Sequence, residues 1–135
     1  MATEYHNRFD HFRGRRKHLH AAMAAIAEYE KNLSALLIEG LQKIENLTIH
    51  GITNKKEVNE RVPTVSFTIK GINPSDISKK LASNNIFVWD GDYYAVEVIK
   101  HLGLEEKGGM VRAGAVHYNT ISEIDKLIEI LNSFD

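Results

Sequence analysis

The sequence predicts an α/β (α+β) domain built as a two-layer sandwich. A small sheet, mixed or mostly antiparallel, carries helices on one face and is led by a long N-terminal helix. Three observations point there. Leu19, Met23, Ile26, Leu33, Leu37 and Ile44 recur at steps of three, four and seven, which marks one face of a helix. Val65, Phe67 and Ile69 alternate with Thr64, Ser66, Thr68 and Lys70, the period-two pattern of a half-buried strand. The segments that follow Asn73 and Thr120 join helix-start chemistry to apolar stripes. A sheet with one apolar face and helices with one apolar stripe bury them against each other.

Taken in order, residues 1–16 are polar with scattered aromatics at Tyr5, Phe9 and Phe12, and read as an N-terminal arm. The long helix is expected from about Lys17 to near Glu45, helped by alanines at 21, 22, 24, 25 and 27. Leu47 to His50 suits a short strand. A polar loop, Gly51 to Glu60, leads to the alternating strand at 64–70. Asn73 can cap the next helix, Pro74 suits its first position, and Asp76 complements its dipole. Asn84-Asn85 can close that helix in a left-handed conformation. Ile86 to Trp89 reads as a strand, and Asp90-Gly91-Asp92 as the turn after it. Ala95, Val98, Ile99 and Leu102 make a short helix stopped by Gly103. A strand runs from Met110 to about Val116. Thr120 and Glu123 form a capping box for the last helix, whose stripe is Ile124, Leu127, Ile128 and Leu131.

With 135 residues, 43% of them apolar, the chain fits one domain with a sizeable core, here residues 17–135. A net charge of −1 argues against nucleic-acid or membrane partners selected by bulk charge. The absence of cysteine removes disulfides, thiolate nucleophiles and cysteine-bound metal. No apolar run is long enough to span a bilayer, and the polar, basic N-terminus is unlike a signal peptide, so a cytoplasmic location is expected.

Four features could carry chemistry. The basic run Arg13-Gly14-Arg15-Arg16-Lys17 could bind phosphate, but the balanced charge of the chain favours a solvated helix start. His6, His11, His18 and His20 cluster without the spacing of a metal site, so no metal is assigned. Trp89, Asp90, Asp92, Tyr93 and Tyr94 lie between a strand end and a helix start, where open sheets place ligands. Aspartate and glycine there are also ordinary turn residues. Arg112 stands among Val111, Ala113, Gly114, Ala115 and Val116. Such an arginine reaches solvent, an acid or a ligand anion, and its planar fork can grip a carboxylate through two parallel hydrogen bonds.

Val111-Arg112-Ala113-Gly114, then His117-Tyr118-Asn119-Thr120 and a helix with Glu123, Ile124 and Asp125, resemble the C-terminal end of class V aminotransferases. The branch resembled is that of the cysteine desulfurase-like proteins, which are fold-type I pyridoxal-phosphate enzymes. Arg61-Val62-Pro63-Thr64-Val65-Ser66-Phe67 resembles the strand that opens their small domain. Ile86-Phe87-Val88-Trp89-Asp90-Gly91 with Tyr93-Tyr94-Ala95 resembles their active-site loop, and Ala22-Met23-Ala24-Ala25-Ile26 with Tyr29-Glu30 and Leu33 resembles the helix joining their two domains. The resemblance spans roughly residues 13 to 134.

The resemblance implies that Arg112 binds the α-carboxylate of an amino-acid-like substrate, and that 89–94 border the active site. It implies a pyridoxal-phosphate cofactor in the full-length enzyme and partnership with a large domain or a second copy in a homo-oligomer. Two departures bear on chemistry. Tyr94 falls where cysteine desulfurases carry their loop cysteine, which excludes persulfide formation by that route. The family's Schiff-base lysine and cofactor pocket lie on the large domain, so the chain is expected to be inactive alone and to bind no cofactor covalently. The other expectation is a stand-alone module, homo-oligomerising or ligand-binding, that reuses the fold.

Overall fold

The structure is a computed structural model that describes residues 8–134. Helix α1 (Gly14–Leu41) is followed by β1 (Leu47–His50), a 3-10 helix (Lys55–Glu60), β2 (Thr64–Ile69), α2 (Pro74–Ser83), β3 (Trp89–Gly91), α3 (Val96–His101), β4 (Met110–Gly114) and α4 (Ile121–Asn132). The four strands form one sheet in the order β1-β2-β4-β3, and each neighbouring pair is antiparallel. The expected two-layer α/β architecture, with a mostly antiparallel sheet and a long first helix, is the observed one.

One sheet face is apolar because every second residue points the same way. Val65, Phe67 and Ile69 of β2 and Val111 and Ala113 of β4 are buried against Leu33, Leu37, Ile38 and Leu41 of α1, Ile77 and Leu81 of α2, and Ile124, Leu127 and Leu131 of α4. Burying each of these larger side chains stabilises the fold by about 1.5–3 kcal/mol. Short α3 lies elsewhere. Its Ile99 packs with Leu104 and with Met110, which by alternation faces away from the main core.

Local chemistry explains most boundaries. Asn73 Oδ1 accepts from the Ser75 amide and Pro74 opens α2. Asn85 closes α2 at φ 62°. Both halves of the Thr120–Glu123 capping box form. Gly40 lets α1 and α4 cross closely: a Cβ there would lie 2.6 Å from Ile128 Cγ1.

Three expectations need correction. Helix α1 starts at Gly14 rather than Lys17 and stops at Leu41 rather than near Glu45. Its earlier start has good helix formers in Arg15 and Arg16, and Phe12 stacks on His20 across the first turns, with ring centroids 4.3 Å apart. At the other end Asn46, at φ 60°, reverses the chain, although Ile44 remains buried. Strand β3 pairs at Trp89–Gly91 instead of at 86–89, so Asp90 and Gly91 belong to the strand and the turn begins at Asp92. Strand β4 ends at Gly114 rather than near Val116, where Val116 N instead donates to Asn119 Oδ1 at 2.9 Å.

Candidate substrate-carboxylate site

Arg112 lies mid-strand on the sheet face turned away from α1, α2 and α4, the face whose other end α3 covers at Met110. Its register partners are Ser66 on β2 and Trp89 on β3. Directly opposed residues of antiparallel strands share a face, so the three side chains stand in one row. The guanidinium carbon lies 5.0 Å from the centroid of the Tyr93 ring and 5.7 Å from that of Trp89. Such cation–π contacts contribute about 0.5–2 kcal/mol each. The Tyr93 hydroxyl donates to Ser66 Oγ at 2.9 Å. Arg112, Trp89, Tyr93 and Ser66 therefore form one cluster, with no acidic side chain paired to the arginine among the described residues.

The turn that delivers Tyr93 is unusual. Tyr93 and Tyr94 have φ of 36° and 67°, in the left-handed region that costs a non-glycine residue about 1–3 kcal/mol. Asp92 holds this turn, since its Oδ1 accepts from the Tyr94 amide at 3.1 Å and its carbonyl accepts from Ala95 N at 2.7 Å. Beneath it, Gly109 closely approaches the backbone of Gly91: a Cβ on Gly109 would sit 2.2 Å from the Gly91 carbonyl oxygen. Only glycine fits there, and the fit seats β3 beside β4.

The other expected loop residues separate. Asp90 pairs with Val111 and so faces the side opposite Arg112. Asp92 serves the turn. Tyr94 is 94% exposed and extends away from the fold. Tyr118 is exposed as well, while Asn119 is tied to α1 through its carbonyl, which accepts from Tyr29 OH at 2.8 Å. Glu30 of α1 accepts from the His117 amide at 3.0 Å, so the long helix fixes the segment that leaves β4. Ser66 was not singled out from sequence. Its place on the polar face of β2 was visible, but only strand register puts it opposite Arg112.

Among the described residues no group of three or more His, Cys, Asp or Glu side chains could hold a metal ion. His11 and His20 both pack on Phe12, while His6 lies outside the described residues. Arg61, also in a quoted motif, spends its guanidinium on the carbonyls of Ile52, Val62 and Thr64, and burial lowers its pKa. Its role is to pin the loop before β2.

The protein-family model named Aminotransferase class-V matches residues 17–127. The chain belongs to the class-V aminotransferase family. Within that family it is 36% identical over 109 residues to the aminotransferase-like protein FGM3 of Gibberella zeae, which covers 79% of this chain and 27% of that protein. It is 30% identical over 114 residues to the probable cysteine desulfurase 2 of Mycobacterium leprae, covering 84% of this chain and 26% of that one. Among solved structures, an apo cysteine desulfurase from Thermococcus onnurineus NA1 superposes with a TM-score of 0.73 at 28% identity, over 81% of this chain and 26% of that one. This class-V chain thus spans about a quarter of the length of the relatives it matches.

The family is pyridoxal-phosphate dependent. The cluster around Arg112 does not fit that cofactor. It offers a guanidinium, two hydroxyls and two aromatic rings, and its members' cation–π, hydrogen-bond and register partners include no lysine. Lys31, Lys80 and Lys126 donate to Asn59, the Ser133 carbonyl and the Asn84 carbonyl, and Lys17, Lys79 and Lys100 pair with Asp10, Asp76 and Glu97. The donors present suit an oxyanion, and the cluster holds no group that could form the cofactor's imine.

Proposed function

We propose that this chain is the small-domain portion of a pyridoxal-phosphate-dependent class-V enzyme, and that Arg112 is its arm for the α-carboxylate of an amino-acid substrate. The single observation behind this is a half-buried arginine without an acidic partner, held on a sheet strand with its guanidinium against two rings. A free carboxylate supplies the missing partner with two parallel charge-assisted hydrogen bonds. Trp89 and Tyr93 border the site. The lysine and the cofactor pocket come from a large domain, so the chain alone is inactive.

Carboxylate binding separates Arg112 from a merely exposed arginine. Isotope-labelled chain is titrated with an amino acid and with the corresponding amine that lacks the carboxylate. The amino acid is expected to shift the signals of Ser66, Trp89, Tyr93 and Arg112, and the amine to leave them in place. Arg112→Gln is expected to weaken the response about tenfold or more, the cost of a charge-assisted pair. Equal responses to both compounds, or an undiminished response in Arg112→Gln, contradict the assignment.

A further inference from the structure

An arginine on an open sheet face is flexible, and a flexible arginine binds a carboxylate weakly because binding must first immobilise it. The rings beside Arg112 answer this problem in a particular way. They meet the guanidinium at 5.0 and 5.7 Å through their π-systems, which leaves its N–H donors free for an anion. Trp89 is 56% exposed, so little holds it in place. Tyr93 is fixed at both ends. Its hydroxyl spends its proton on Ser66 Oγ, the residue in register with Arg112. Its backbone is set by the Asp92 turn, and its side chain packs on the cluster of Ile99, Leu104 and Met110.

We propose that Tyr93 is a positioning residue that orients the Arg112 guanidinium, with Ser66 as its anchor. The inference rests on the reading of Arg112 as a carboxylate arm and adds the device that aims it. It also gives a use to the left-handed backbone at Tyr93, which brings the ring against the guanidinium and its hydroxyl to Ser66. The Ser66 hydroxyl accepts from Tyr93, so its own proton remains available to a carboxylate held at Arg112.

The test reads the Arg112 Nε–H signal of the chain by nitrogen-edited NMR, assigned by its loss in Arg112→Gln. In the wild-type chain this proton is expected to be ring-shifted and slow to exchange with water. Tyr93→Leu is expected to abolish the Tyr93 share of the ring shift and to speed exchange about tenfold, the scale of one partly desolvated cation–π contact. Tyr93→Phe and Ser66→Ala, which keep the ring and remove the tether, are each expected to speed exchange by a smaller factor. Backbone amides of β2 and β4 should stay in place, which separates loss of aim from loss of fold. An Nε–H signal unchanged in Tyr93→Leu overturns the inference, and one unchanged in both Tyr93→Phe and Ser66→Ala overturns the anchor. If wild-type Arg112 shows these signatures but ignores added amino acid, the substrate role falls and the positioning stands. If it responds to amino acid equally in every variant, the positioning falls alone.

Discussion

Glu123 shows how much one exposed side chain can settle. Its carboxylate accepts from the Thr120 amide at 2.7 Å and from the Thr120 hydroxyl at 3.1 Å, closing the capping box of α4. The Thr120 backbone hydrogen bond is the largest of the influences that lower its pKa, followed by the Thr120 and Asn119 side chains. A folded-state pKa below the unfolded one means that the unfolded chain binds more protons in between. The stabilisation from this group is therefore present above the ordinary glutamate value and is lost as pH falls through the lowered one. Thermal unfolding followed from neutral pH down to about pH 3 should show this loss in the wild type and a shallower decline in Glu123→Gln. Identical acid profiles would mean that the box contributes nothing through its charge. Arg112 differs in kind: its neighbours are rings and hydroxyls, and what it lacks is a counter-charge.

Packing of helix on helix and strand on strand turns on two glycines. Gly40 brings α1 against Ile128 of α4, and Gly109 brings β4 against Gly91 of β3. Gly40→Ala is expected to cost about 1–3 kcal/mol through overpacking against a β-branched side chain. In an Ile128→Ala background the same change should become stabilising, by up to about 1 kcal/mol, because alanine is the better helix former. Denaturant melts of the four combinations measure this, and a change of equal sign in both backgrounds would refute the contact. Much of this framework was legible in the sequence. The Asn73 and Thr120 caps, the alternation of β2 and the Asn85 stop all stand on local chemistry. Strand β3 was displaced because its apolar run, Ile86 to Val88, has the hydrophobicity of a strand while the ladder forms only at 89–91. Register is a non-local choice, made here by the Gly91–Gly109 approach. The same cause hid Ser66 and separated Asp90 from the site: pattern gives the face of a strand, and only pairing gives its neighbours.

The molecule leaves two surfaces uncovered. One is the row of Ser66, Arg112 and Trp89 on the outer face of the sheet. The other is the first half of α1, where Leu19 and Met23 are 53% and 61% exposed although they continue the stripe that buries Leu33 and Leu37. The chain spans about a quarter of the length of its relatives, and under the proposed reading a large domain would cover both surfaces. No described helix is long and apolar enough to cross a membrane, so this exposed stripe does not mark a spanning segment. The proposed division of labour puts the carboxylate arm on this chain and the cofactor-bearing lysine on a large domain. The most direct test is to incubate the chain with pyridoxal phosphate, reduce with borohydride so that any lysine-bound cofactor becomes permanent, and map the modified peptides by mass spectrometry. Sparse modification spread over surface lysines, unaffected by Arg112→Gln, is the expected result. One lysine modified to completion would contradict it.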